Sequence, residues 1–322
     1  MQAIICTKYG SPEVLQLQEV AKPIPKDNEV LIKILATAVT ASDCIIRGFE
    51  LSIWRPMGIM MGLALGFSRP RQPILGIVFP GEVESAGKAV KSFREGDQIF
   101  GWDLFPAFGA YAEYKCVSEN GMLAIKPANL NYEEAAAIPY GGLIALHFLK
   151  KGNIQNGQKV LIYGASGAIG TSAVQLAQSL GAEVTGVCST ANLEFVKSLG
   201  ADTVIDYTKE DFTSIGARYD FIFNAVGKRK ANLQCEKALT PSGKYITVDD
   251  GSPKLHREDL IFLKELVEAG KIKAVIDRRY PLEHIVEAHR YWTRGTKRGM
   301  LSSLWSITKK HKVGKNELDE TE

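Results

Sequence analysis

Cysteine is scarce and scattered. Cys6, Cys44, Cys116, Cys188 and Cys235 are the only five in 322 residues, and no pair has CxxC spacing. That excludes a disulfide framework and a zinc knuckle. Charge of one sign is also short: 39 Lys and Arg face 36 Asp and Glu, a net charge of +3. So small an excess points to no nucleic-acid or polyanion partner. Long hydrophobic runs are missing. The longest near-apolar stretch, Met57–Phe67, is far shorter than the roughly 20 residues that span a bilayer. The opening MQAIICTKYG lacks the charged-then-apolar order of a signal peptide. Length suggests about two domains. The expectation is a reduced, cytoplasmic, globular protein with no membrane partner.

What is present changes character along the chain. Residues 1–125 read as mostly β, with runs at Glu29–Ala38, Gly76–Glu84, Asp97–Gly101 and Ala110–Val117 separated by turn chemistry. Short strands at this spacing suggest a small barrel or sandwich. Glu50–Arg71, rich in Met, Leu and Gly, is either a helical lid or a loop over a pocket. From Asn131, NYEEAAAIPYGGLIALHFLKKG reads as helix, break, helix. Then QKVLIY, AEVTGVC, Thr203–Ile205, DFIFNA and KYITV read as strands. Helical segments at Thr171–Leu180, Ala191–Leu199 and Asn232–Leu239 fall between them. That alternation predicts an α/β, doubly wound parallel sheet. Ile261–Ala269 adds an amphipathic helix. Residues 308–322 have almost no apolar content and read as a disordered tail.

Gly164, Gly167 and Gly170 form GxxGxxG after a predicted strand and at the start of a predicted helix. Glycines there permit a sharp turn and close backbone approach to a pyrophosphate. The helix N-terminus, with Ser166, Ala168 and Ile169, offers N–H groups and positive partial charge. The bland alternative is an ordinary βα turn. At the end of the second strand an NAD site places an acid on the ribose. Here Ser189 and Thr190 follow Cys188, with no acid until Glu194. Small hydroxyl residues leave room for a 2′-phosphate, so NADP(H) is expected; a helix N-cap is the other reading of the pair. The strand-end residues Ala225, Val226, Gly227 and Val248 should line the nicotinamide half, as at a topological switch point.

VTASDCIIRG, FREGDQIFG, GAYAEYKCV, EEAAAIPYGGLIALHFL, YGASGAIGTSAVQLA and SLGADTVIDYTKEDF together resemble the zinc-independent medium-chain dehydrogenase/reductase superfamily, in its quinone oxidoreductase (zeta-crystallin-like) branch. The resemblance covers residues 1 to about 305. It implies a GroES-like β-barrel over 1–125, completed by 270–307, with a Rossmann dinucleotide-binding domain inserted over 126–269. It places the active site between them. It also implies a homodimer, for which KYITVDDGS is the plausible edge segment.

Carried over position by position, the resemblance implies catalytic roles at Thr40 and Asp43. It implies a substrate pocket with Ile45, Trp54 and Tyr140, and an adenosine-phosphate site with Asn192 and Tyr207. The zinc ligands of other members match Thr40, Gly76–Val78 and the Tyr140–Gly141 region. None of these supplies a usual zinc donor set, so no metal is expected. Thr40 stands where the branch usually has Asn, Ile144 where Thr is common, and Asn192 where Lys is usual.

Without a Lewis acid, the chemistry expected is NADPH-dependent reduction of already activated acceptors, quinones or α,β-unsaturated carbonyls. Thr40, main chain or water would serve the acceptor oxygen. Two alternatives stand beside it: a zinc-independent alcohol dehydrogenase-like enzyme, and a non-catalytic NADPH-binding sensor. Asp43 and Arg47 at i, i+4 suggest an ion pair. Cys44 has no His near in sequence to activate it and reads as an inert thiol. Met57, Met60, Met61, Leu63 and Leu65 either line a pocket or form a loop's apolar underside.

Overall fold

The computed structural model describes residues 1–49, 56–103, 107–227, 235–293 and 303–306. The chain opens with an antiparallel pair, β1 (Gln2–Cys6) and β2 (Leu15–Glu19). Next come β3 (Glu29–Ile34), α1 (Ala41–Gly48), α2 (Pro56–Leu65), β4 (Gly81–Ala86), β5 (Gln98–Gly101), β6 (Tyr114–Ser118) and β7 (Leu123–Ile125). Strands β3 to β7 form one antiparallel sheet in the order β6-β3-β4-β5-β7. Val30, Ile32 and Ile34 of β3 enter one apolar cluster with Phe79, Val83, Ile99 and Leu123. That is the period of two a half-buried strand requires.

Helices α3 (Tyr132–Ala136) and α4 (Pro139–Gly152) lead into the second sheet. Asn131 caps α3 through a reciprocal bond with Glu134. Pro139 starts α4, where its missing N–H is harmless. There follow β8 (Lys159–Tyr163), α5 (Ala168–Ser179), β9 (Glu183–Cys188), α6 (Leu193–Ser198), β10 (Thr203–Asp206), β11 (Tyr219–Asn224) and β12 (Leu239–Thr247). All five strands are parallel, in the order β10-β9-β8-β11-β12. Val160, Leu161 and Ile162 of the central β8 are fully buried, each contributing about 2 kcal/mol. The order reverses between β8 and β11, which opens a crevice at their carboxyl ends. The chain then runs through α7 (Arg257–Glu268), β13 (Arg278–Pro281), α8 (Ile285–Thr293) and β14 (Ser303–Ser306). Helix α8 comes back to pack beside α1.

The fold differs from the sequence reading in places. β1 and β2 were not anticipated by any pattern above. The expected strand Gly76–Glu84 begins only at Gly81. Gly76 and Ile77 bond instead to loop backbone, as in Ala110 N to Gly76 O at 3.1 Å and Asp103 N to Ile77 O at 2.8 Å. The ends of several helices shift: Thr171–Leu180 becomes Ala168–Ser179, and Ile261–Ala269 becomes Arg257–Glu268. Of the expected helix Asn232–Leu239, residues 235–238 form a 3₁₀ turn and 232–234 lie outside the described residues. Trp54 and the 308–322 tail also lie outside them. No helix among the described residues is long and apolar enough to cross a membrane.

Candidate active site

Thr40 and Asp43 cap the N-terminus of α1. The Thr40 hydroxyl donates to Asp43 Oδ2 at 2.6 Å, and the Thr40 N–H donates to the same oxygen at 2.8 Å. Asp43 Oδ1 accepts the Gly76 N–H at 3.1 Å. Asp43 is fully buried. Burial lifts its carboxyl to about 6, against the hydrogen bonds from Thr40, Gly76 and Tyr111 that favour the charged form. The open side of α1 presents Ile45, which is 38% exposed. Tyr140, at the start of α4, lies with its hydroxyl 3.5 Å from Ser42 Oγ.

Behind the cap runs a buried polar chain. Tyr111 Oη lies 3.3 Å from His289 Nε2. Arg47 Nε donates to His289 Nδ1 at 3.1 Å, and Arg47 Nη1 donates to the Gly10 carbonyl. An Arg N–H can only donate, so His289 Nδ1 is the accepting nitrogen and Nε2 carries the hydrogen. Burial, then the Arg47 charge, holds His289 down at about 3. Two expectations are corrected here. Arg47 does not pair with Asp43; it turns to His289 and Gly10. Cys44 does have a histidine beside it, His289 Nδ1 at 3.4 Å, brought from far along the chain by α8. No sequence-local signal marked His289 or Tyr111 as members of this site.

The glycine turn lies at the carboxyl end of β8. Gly164 has φ +78, and a Cβ there would sit 2.3 Å from Val226 Cγ2. A Cβ on Gly170 would sit 2.0 Å from the Gly164 carbonyl oxygen. Gly167 is the N-cap of α5 and has no side chain to cover the free N–H groups of Ala168, Ile169 and Gly170. This is a cradle that a pyrophosphate fits. Across the crevice, Asn224 Oδ1 accepts the N–H groups of Val226 and Gly227 at 3.0 and 3.1 Å. The Asn224 carbonyl accepts Val248 N–H at 3.1 Å. Asn224 thus organises Val226, Gly227 and Val248, while the Ala225 N–H donates to the Tyr163 carbonyl at 3.0 Å, and sequence reading missed Asn224. Its signal was a polar residue closing the apolar run DFIFN.

Beyond the carboxyl end of β9, where the adenosine phosphate is expected, Asn192 Nδ2 donates to Ser189 Oγ at 3.1 Å and Ser166 Oγ at 3.4 Å. Tyr207 is 53% exposed and borders an open cavity with Tyr163 and Lys209. Thr190 departs from expectation. Its hydroxyl donates to Asp206 Oδ2, so that hydrogen is not free for a phosphate. Asp206, from the neighbouring strand β10, is the acid that inspection of the β9 end overlooked. Donors from Thr190 and then Thr208 hold its carboxyl below the usual range.

The donor set does not suit zinc. The Thr40 hydroxyl is committed to Asp43, and Ile77 and Val78 are buried aliphatic side chains. Among the described residues no group of three His, Cys, Asp or Glu is placed to hold a metal.

A barrel-type sheet joined to a Rossmann-type sheet, with a glycine cradle at the switch point, defines a dinucleotide-dependent dehydrogenase/reductase. Residues 26–127 match the alcohol dehydrogenase GroES-like domain, and residues 168–270 match the zinc-binding dehydrogenase family. The chain is 33% identical to a 2-methylene-furan-3-one reductase of Solanum lycopersicum, over 93% of this chain and 78% of that protein. It is 30% identical to an Arabidopsis thaliana NADPH-dependent alkenal/one oxidoreductase, over 90% and 76%. The solved quinone oxidoreductase of Coxiella burnetii superposes with a TM-score of 0.83 at 28% identity, covering 96% of this chain and 99% of that one. The chain belongs to the medium-chain dehydrogenase/reductase superfamily, in its quinone oxidoreductase branch, and is an oxidoreductase.

Proposed function

We propose that this protein is a zinc-free, NADPH-dependent reductase of quinones or α,β-unsaturated carbonyls. The observation that carries the reading is one pairing. A dinucleotide cradle at α5 is joined to a cap, Thr40–Asp43, that offers a hydroxyl and a carboxyl but no metal-ligand set. Bound there, the reduced nicotinamide supplies a hydride to the acceptor. Residues 164–170 hold the pyrophosphate. Ser189, Asn192 and Tyr207 surround the adenosine phosphate. Ala225, Val226, Gly227 and Val248 border the nicotinamide half.

Quinones and enones are electrophilic without a Lewis acid, which matches this donor set. Thr40 serves the acceptor oxygen, with Ile45 and Tyr140 beside it. When Asp43 is protonated, its own hydrogen turns onto Thr40 Oγ1, and the Thr40 hydrogen is released toward the substrate. The names of the tomato and Arabidopsis relatives support the acceptor class, and the second supports NADPH. A cytoplasmic location and a homodimer through the edge strand β12 complete the reading.

The test is fluorescence titration with NADPH and NADH, followed by cofactor oxidation against a quinone and enone panel. Tight NADPH binding with turnover is expected. NADPH binding with no turnover of any acceptor supports a sensor instead, and binding of neither cofactor overturns the reading. Turnover confined to simple alcohols supports the alcohol dehydrogenase-like alternative. Stoichiometric zinc in the purified protein overturns the zinc-free assignment.

A further inference from the structure

Helix α2 turns an apolar face outward. Ile59 is 49% exposed and Leu63 55%, and at i and i+4 they share one side of the helix. Phe67, just past the helix end, is 54% exposed. Its ring folds back onto the same helix, since a Cβ on Gly62 would sit 2.4 Å from Phe67 Cε1. Among the described residues no other helix or strand carries more than one exposed large apolar side chain. Single exposed apolar residues are ordinary, whereas a contiguous group marks a contact surface.

The helix is fixed by its other side. Gly62 and Leu65 are buried. The Tyr9 hydroxyl lies 2.9 Å from the carbonyls of both Leu65 and Gly66. Gly66, at φ +100, turns the chain back, and the Arg71 N–H donates to the Leu65 carbonyl at 2.7 Å. The charge around this face has one sign. From Leu51 to Gly81 the sequence contains Arg55, Arg69 and Arg71 but neither Asp nor Glu. Arg69 and Arg71 are exposed close after Phe67, and Lys8, next to Tyr9, is exposed as well.

Exposed apolar side chains flanked by cations suit the headgroup layer of a bilayer. The apolar groups enter the acyl boundary while arginine meets anionic lipid. A protein partner would need acidic and apolar groups at matching positions; a lipid surface presents both everywhere. We propose that α2 and the turn after it dock this protein on an anionic lipid surface. The expectation of no membrane partner came from the lack of a spanning run, and a surface contact needs none. The docking goes beyond the reductase reading and does not rest on it.

The test is co-sedimentation of the full chain with vesicles of phosphatidylcholine alone and of equimolar phosphatidylcholine and phosphatidylglycerol. Binding to the anionic vesicles should be stronger by about tenfold or more, and the excess should fall as salt rises. Leu63→Asp should lower partition onto anionic vesicles by about tenfold or more. Arg69→Gln and Arg71→Gln should each lower it about fivefold. All three positions are exposed, so melting temperatures should stay at the wild-type value. If Leu63→Asp loses stability, the two arginine variants decide. No binding to anionic vesicles overturns the proposal, as does binding that every variant keeps or that phosphatidylcholine alone matches. Analytical ultracentrifugation checks the other occupant, a second copy of this chain. Self-association that Leu63→Asp abolishes, without vesicle binding, would make the face a protein interface and overturn the lipid contact.

Discussion

The hydrogen of Thr40 Oγ1 points at Asp43 Oδ2, which leaves only lone pairs for a substrate oxygen while Asp43 is ionised. Protonating Asp43 reverses that direction. Acceptor reduction should therefore quicken as pH falls through about 6, and Asp43→Asn, whose amide donates at every pH, should flatten the profile. A wild-type profile without that limb would sink the relay. Stability carries the same signature. Asp43 is raised from 3.8 to about 6, so the folded state binds the extra proton between those values. The term is fully present below 3.8 and lost as pH rises through about 6. Unfolding titrations of wild type and Asp43→Asn should diverge in the wild type's favour by about 2.4 kcal/mol from pH 7 to pH 4. His289 works in the opposite direction, being held from 6.5 down to about 3. Its term is present above 6.5 and lost in acid, and it is common to both proteins, so it cancels. At the other end of the cleft, Asp206 places a negative charge against Thr190. Asp206→Asn should shift the ratio of NADPH to NADH dissociation constants toward NADPH by roughly tenfold. An unchanged ratio would mean that the 2′ position lies elsewhere.

Among elements, the β8–turn–α5 unit was the most legible in sequence, because all its determinants are local. A short apolar strand, three spaced glycines and a helix sit within about twenty residues and need no distant partner. The three glycines are nevertheless not equivalent. Gly170→Ala would drive a Cβ to 2.0 Å from the Gly164 oxygen, whereas at Gly167 the nearest atom would be 3.4 Å away. Gly170→Ala should thus lose both thermal stability and cofactor affinity. Gly167→Ala should keep its melting temperature and weaken NADPH alone, which paired thermal-shift and fluorescence titrations will resolve. Equal losses in both variants would place the phosphate away from this turn. β1 and β2 escaped sequence reading because β2 is exposed at four of its five positions and β1 bonds to backbone far along the chain, as Ile4 N does at the Tyr111 carbonyl. Gly76–Glu84 looked like one strand because its residues are apolar enough, but only its second half lies in β4, while the Gly76 and Ile77 carbonyls accept from loop N–H groups.

At the scale of the whole molecule, α8 is fastened to helix α1, behind the Thr40–Asp43 cap, by contacts that span 242 residues between Arg47 and His289. No local pattern encodes such a contact, which is why Arg47 was matched to the nearer Asp43. His289→Ala would remove the acceptor of the buried Arg47 Nε and one partner of the Tyr111 hydroxyl. A loss of about 2–4 kcal/mol in denaturant unfolding is expected, with a shift in the acid limb of activity that a purely structural loss would not cause. The disposition of the thiols has a different consequence. Enones alkylate thiolates, and a protein that meets them at every turnover is exposed to inactivation by its own substrates. Here burial pushes Cys6, Cys116 and Cys188 up to about 11, and Cys44 and Cys235 are shut away from solvent. The folded chain should emerge unmodified from prolonged incubation with a reactive enone, as intact-mass spectrometry can show. The denatured chain, by contrast, should take up as many as five adducts. Folding would then be its protection against the compounds it consumes.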